Sequence, residues 1–291
     1  MRALKHESLR ALSESVALTI DAVSAATAIV PRTIGAMTLK SKARDGLTVL
    51  DDFRCSGAMR ALFPRSTGPL EAIMINTSGG LTSGDRLDVR ATAGTGSHLT
   101  LTTQAAERAY RAEGDVARVQ THLRVDDDAT LQWLPQEMIL FDHCGLSRDL
   151  RIDLARTGRL LMVEPVIFGR SAMGETVQAG RFKDHISIYR DDVPLYFDRV
   201  NLAGKIATQL SPAAVADGAI AMTSVLYVAP DAETHLGPLR ATLPQTAGAS
   251  MLADDVLVVR MVAADSFALR QGLVPILNRL SRNTLPKSWR L

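Results

Sequence analysis

The residues able to do chemistry are few, and the densest group is FDHC, Phe141 to Cys144, where a carboxylate, an imidazole and a thiol follow one another. Those donor types together suit a borderline transition metal. On a strand successive side chains alternate faces, so Asp142 and Cys144 share one that His143 does not, unless Gly145 turns the chain. The competing reading is a plain turn with a packed cysteine, since a free thiol behaves as a small buried hydrophobe. Three glutamates sit oddly in their surroundings: Glu137 in LPQEMILF, Glu164 before Pro165 and Glu175 after Gly174. Each either faces water or is paired, with Arg170 and Arg181 as candidate partners, because an unpaired charge among apolar side chains is costly. The stretch NTSGGLTSGD spaces Gly79 and Gly84 as a phosphate-binding loop does, but Asp85 stands where such a loop needs lysine. A carboxylate there repels phosphate. His98 and His122 fall within alternating patterns and read as strand residues rather than ligands. No G-x-S-x-G, H-E-x-x-H or G-x-G-x-x-G occurs.

The elements that must position these residues are mainly strands. ARVQTHLRV sets Val119, Thr121, Leu123 and Val125 on one face against Arg118, Gln120, His122 and Arg124. RDLRIDL alternates Leu150, Ile152 and Leu154 with Asp149, Arg151 and Asp153, and HLTLTT and ATLQWL repeat the pattern. Short turn signals join them, so the expectation is an antiparallel or solenoidal β architecture rather than a parallel α/β sheet. Helix is expected late. From Asp265, a candidate N-cap, Leu269, Leu273, Ile276, Leu277 and Leu280 recur at helical spacing, and Pro275 predicts a kink or break near Gly272. A shorter helix is expected over Asp231 to Thr242.

Composition excludes more than it assigns. The formal net charge is +2 and aromatic residues make up 4%, which argues against nucleic acid as a partner. No apolar run reaches the length of a membrane span, and Glu14 and Asp21 interrupt the only leader-like stretch. Cys55 and Cys144 have no C-x-x-C companion, and a reducing, cytoplasmic setting is the expectation. Residues 1–30 read as a flexible tail and 31–291 as a single domain.

The order of NTSGGLTSGD, TTQAAERAYR, LQWLPQEMILFD and EPVIFGRSAMGE, followed by PLYFDR and PKSWRL, resembles the urease accessory protein D family, also called H. The resemblance covers about Thr33 to Leu291. It implies a β-helical stack of strands with about two helices, and a non-enzymatic maturation factor that binds apo-urease with accessory proteins F and G. It also implies a passage by which nickel reaches the dinuclear urease site, with no tightly bound cofactor. Scattered carboxylates suit a conduit that must release Ni²⁺, and Asp85, Glu137, Asp142, His143, Glu164 and Glu175 are the candidate lining. In this reading Gly79, Gly80 and Gly84 permit tight turns, and Asp85 faces the polar interior or caps one. Arg279, Arg282, Lys287 and Arg290, with the C-terminal helical stripe, are a candidate partner-facing region. Two rival functions stay open: a metal-dependent hydrolase centred on Asp142, His143 and Cys144, and a β-solenoid binding module with no metal role.

Overall fold

The alternating segments fold as strands because each has one apolar face to bury and one polar face to hydrate. The computed structural model describes residues 31–65, 68–170 and 173–290. The expected tail over 1–30 lies outside them. Strands β1 (Ile34–Arg44) and β2 (Leu47–Gly57) form an antiparallel hairpin, and β3 (Met59–Leu62) pairs antiparallel with β4 (Leu70–Asn76). The chain then coils. One turn carries β5 (Arg86–Ala93), β6 (His98–Thr103) and the short corner strand β7 (Glu107–Ala109); the next carries β8 (Ala117–Val125), β9 (Thr130–Leu134) and corner strand β10 (Met138–Leu140). It continues through β11 (Cys144–Leu154) and β12 (Arg159–Phe168) to the antiparallel hairpin of β13 (Gly180–Arg190) and β14 (Val193–Gly204). Helix α1 (Ile206–Leu210), β15 (Ala221–Val228), helix α2 (Ala232–Arg240), β16 (Ala247–Ala253), β17 (Val256–Ala263) and helix α3 (Ser266–Leu280) complete it.

The result is mainly β, a solenoid of about 4 turns. One sheet runs β14-β13-β11-β8-β5-β1-β2, and the other runs β16-β17-β15-β12-β9-β6-β4-β3 with the corner strands attached. Within the coil, neighbours are parallel: β1, β5, β8, β11 and β13 on one side, β4, β6, β9 and β12 on the other. Antiparallel strands close both ends of each sheet. At the corner, Leu81, Ala109, Leu140 and Phe168 stack rung upon rung, all buried. That ladder fixes the winding.

Two cores result. The first fills the space between the sheets, and the second lies between the outer face of the longer sheet and helices α2 and α3. β12 is buried on both faces, which explains why RLLMVEPVIF reads as an unbroken apolar run rather than an alternation. The described residues contain three helices where about two were expected, the extra one being the five-residue α1. In α3, Asp265 caps the helix by accepting the Ala268 N–H at 2.8 Å. The break expected near Gly272 does not occur: α3 is one helix of 15 residues with Pro275 inside it. Gln271 and Pro275 both lie on its exposed side, so the carbonyl that proline leaves without a helical donor is open to solvent. The stripe Leu269, Leu273, Ile276, Leu277 and Leu280 is buried in the second core. At about 1.5–3 kcal/mol for each buried side chain, it is committed to the sheet rather than offered to a partner.

Candidate functional site

A cavity of about 220 Å³ opens between the sheets. Its walls are mostly apolar side chains such as Met74, Val89 and Met138, with a few polar ones among them. Glu107 lines one part, where its carboxylate accepts from the Asn76 amide at 3.0 Å and from the Arg108 N–H at 2.9 Å. Burial raises the Glu107 carboxyl above the usual range despite those bonds. Arg148 and Glu164 line another part.

Arg148 and Glu164 belong to a buried polar seam built from inward-facing strand positions. On β11 the inward series is Leu146, Arg148, Leu150 and Ile152, and on β13 it is Phe182, Asp184, Ile186 and Ile188. The parallel register sets Arg148 beside Asp184. The guanidinium donates Nε to Asp184 Oδ1 at 2.9 Å and Nη2 to Oδ2 at 2.5 Å, while Nη1 meets Glu164 Oε2 across the core at 2.7 Å. Trp133 Nε1 donates to the other Glu164 oxygen at 2.5 Å. Burial alone would lower the Arg148 pKa, but Asp184 and Glu164 raise it, so it stays charged. Glu164 moves the other way: its burial raises the carboxyl, and Arg148 offsets this only in part. A second, smaller cavity touches Glu164, Asp184 and Asp198, and Asp198 is held by Ser224, Tyr196 and Arg260. Glu164 therefore touches both spaces.

Glu164 is the one residue of the six expected along a conduit that lines either cavity. The others are held locally. Asp85 is buried and caps the turn, its oxygens accepting the Thr33 and Thr82 N–H groups at 2.8 Å each. Glu137 grips Arg270 of α3 at 2.8 Å, and the same guanidinium bonds Gln136 and the Trp289 carbonyl and covers the Trp289 ring. Glu175 pairs with Arg170 at 2.7 Å, and Arg170 stacks on Phe141, whose ring meets Tyr110 edge-on. Of the two arginines expected as partners, Arg170 thus serves Glu175 alone, and Arg181 donates to the Gly114 carbonyl instead. Geometry across strands, invisible in sequence, supplied Arg270 and Arg148 to the other two glutamates.

The FDHC segment does turn, at His143, whose φ is 60°. Asp142 accepts from the Ala179 and His143 N–H groups and pairs with the His143 ring at 2.9 Å. Burial opposes ionisation of Asp142, but the Ala179 N–H and the His143 charge hold its carboxyl below the usual value. Cys144 points inward instead, packed by Gly180, and burial pushes its thiol up to about 11. The three side chains do not converge, and among the described residues no group of three or more His, Cys, Asp or Glu is placed to hold a metal ion. The hydrolase centre of the rival reading is not assembled among the described residues. Gly79, Gly80 and Gly84 all take positive φ, and a Cβ on Gly80 would lie 2.2 Å from the Tyr110 ring. Their loop holds an aromatic corner.

Sequence reasoning missed Arg148, Asp184, Asp198 and Glu107. A signal was present for the first two. Within RDLRIDL the apolar series Leu150, Ile152 and Leu154, carried back one step, puts Arg148 on the apolar face, and FKDHISI puts Asp184 there.

The fold and site together define a helix-backed β-solenoid with a cavity between its sheets and a seam of buried carboxylates. The UreD urease accessory protein family profile matches residues 33–290. The urease accessory protein UreD of Roseobacter denitrificans is 47% identical over 262 residues, covering 90% of this chain and 96% of the relative. That of Ruegeria pomeroyi is 46% identical over 87% of this chain and 99% of its own, and that of Sinorhizobium medicae 43% over 92% and 100%. The chain belongs to the UreD urease accessory protein family.

Proposed function

We propose that this chain is a urease maturation factor that binds apo-urease with accessory proteins F and G and passes nickel between its two sheets toward the dinuclear site. It catalyses no reaction of its own in this reading. The observation that carries it is the position of Glu164, which lines both cavities and so links the Glu107 region to Asp184 and Asp198. Ni²⁺ accepts carboxylate and water, and separated single carboxylates bind it weakly enough for release. The main cavity has room for several waters, so the ion need not shed its hydration shell at once.

The test is co-expression with a urease operon lacking its own D protein, at limiting nickel, reading nickel per urease site and ureolysis. Glu107→Gln, alone and with Glu164→Gln, should leave solubility and partner capture intact while lowering nickel occupancy severalfold. Full occupancy in the double variant at limiting nickel would sink the conduit and leave the binding-module reading. No helix among the described residues is long and apolar enough to cross a membrane.

A further inference from the structure

The outward face of the seven-stranded sheet is unusually basic for a chain of net charge +2. Parallel register turns its outward residues into rows that cross the strands. One row sets Arg86 beside Arg118, and Arg118 beside Ser147, which in turn neighbours Lys183 and then Asn201. The next row carries Asp88, Gln120, Asp149, His185 and Arg199, and the third Arg90, His122, Arg151, Ser187 and Phe197. Over β5, β8, β11, β13 and β14 this face bears eight Arg and Lys but three Asp.

Some of those cations are neutralised. Arg151 and His122 meet Asp153, and Arg124 meets Asp126. Arg86, Arg90, Arg118, Lys183 and Arg199 are exposed and make no ion pair among the described residues. Arg86 and Arg118 are direct cross-strand neighbours, at about the 4.8 Å strand spacing, and like charges so placed are destabilising. The fold therefore keeps an uncompensated repulsion on a flat, open face, where a partner's carboxylates would relieve it.

We propose that this face docks an acidic protein surface, with Arg86, Arg118 and Lys183 as its charged row. The inference rests on the maturation reading for the identity of the partner. Asp88 and Asp149 form an intervening row that would repel a continuous phosphate backbone, and the face has few rings on which bases could stack. The stripes thus fit a protein of alternating charge better than nucleic acid. Complementary stripes also set the register of docking, since a shift by one row brings like charges together.

The probes are apo-urease and accessory proteins F and G, each immobilised separately, with duplex DNA as a fourth surface. The full-length chain should be captured by at least one of the three proteins, with an affinity that falls steeply from about 0.05 to 0.3 M salt. Arg86→Glu/Arg118→Glu/Lys183→Glu should weaken that capture about tenfold or more at low salt, and the corresponding Gln triple by an intermediate factor with a flatter salt dependence. The Glu triple should melt near the parent, since all three side chains are exposed, and the Gln triple, which removes the repulsion, at or slightly above it, so that the Gln triple carries the test if the Glu triple misfolds. Capture of both triples within twofold of the parent, with nickel loading intact, overturns this docking face and leaves the maturation reading standing. Preferential capture by DNA overturns it in favour of nucleic acid. If the parent chain is captured by none of the three proteins and nickel loading also sits at background, both readings fall together.

Discussion

Replacing Arg148 by methionine removes the only cation among the described residues that touches both Glu164 and Asp184, while keeping an unbranched side chain. The guanidinium makes three short charge-assisted bonds to two carboxylates that are each 6% exposed at the side chain. Removing one partner of a buried ion pair costs about 3–5 kcal/mol, and here two anions are stranded at once, so the upper end is expected at pH 8. That is a large share of a typical stability of about 5–15 kcal/mol. The loss should shrink in acid. In the variant Glu164, whose carboxyl burial already raises, loses the Arg148 charge that offsets it, so the folded state binds more protons than the unfolded chain above the ordinary carboxylate range. Stability then falls as pH rises through the raised value, and the penalty at pH 5.5 is smaller than at pH 8. Glu164→Gln behaves differently, because it leaves Arg148 with Asp184, a neutral pair, but its single amide oxygen can accept from Trp133 or from Arg148 and its NH₂ then faces the other donor. It should cost about 1–3 kcal/mol at pH 8, less than Arg148→Met. Urea unfolding followed by Trp fluorescence measures both variants. An Arg148→Met penalty under about 1 kcal/mol at pH 8, or one equal at both pH values, would refute the idea that the seam is an ionised, mutually dependent cluster.

Two further outcomes follow from other residues. Glu137→Ala should cost roughly 3 kcal/mol and loosen α3, since it leaves Arg270 without its buried partner, whereas Glu107→Gln should change stability by under about 1 kcal/mol; hydrogen exchange in α3 distinguishes them. His98 is held by burial at about 4 against 6.5 in the unfolded chain, and its Nε2 is buried without a hydrogen-bond partner. The unfolded chain therefore takes up a proton that the folded one refuses, and stability present above pH 6.5 is lost as pH falls toward 4. His98→Gln should flatten that acid limb by up to roughly 3 kcal/mol, read from chemical denaturation at pH 7 and pH 4.5.

Local patterning was legible where one strand face is buried and the other wet. ARVQTHLRV and RDLRIDL lie in β8 and β11 as their alternation requires, and the α3 stripe lies against a core. The strand β12, buried on both faces, carries no such alternation, and α1 is too short to leave a helical period. The Arg148–Asp184 contact spans 36 residues and the Trp133–Glu164 contact 31, separations set by one turn of the coil. Nothing local encodes such a pairing. What sequence could reveal was the anomaly, a charge on an apolar face, without its partner. At Asp191 and Asp192 the hairpin between β13 and β14 takes positive φ without glycine, which aspartate tolerates better than most residues.

The corner ladder of Leu81, Ala109, Leu140 and Phe168 separates two design variables. Each rung of the coil lengthens the space between the sheets by one strand spacing, about 4.8 Å, without altering its cross-section. Bore is set by which side chains face inward on each rung; length is set by how many rungs precede the antiparallel hairpins that seal the ends. An insertion or deletion of one whole turn would preserve every stacking contact except those at a single seam. The length of the space between the sheets and its width can therefore change independently.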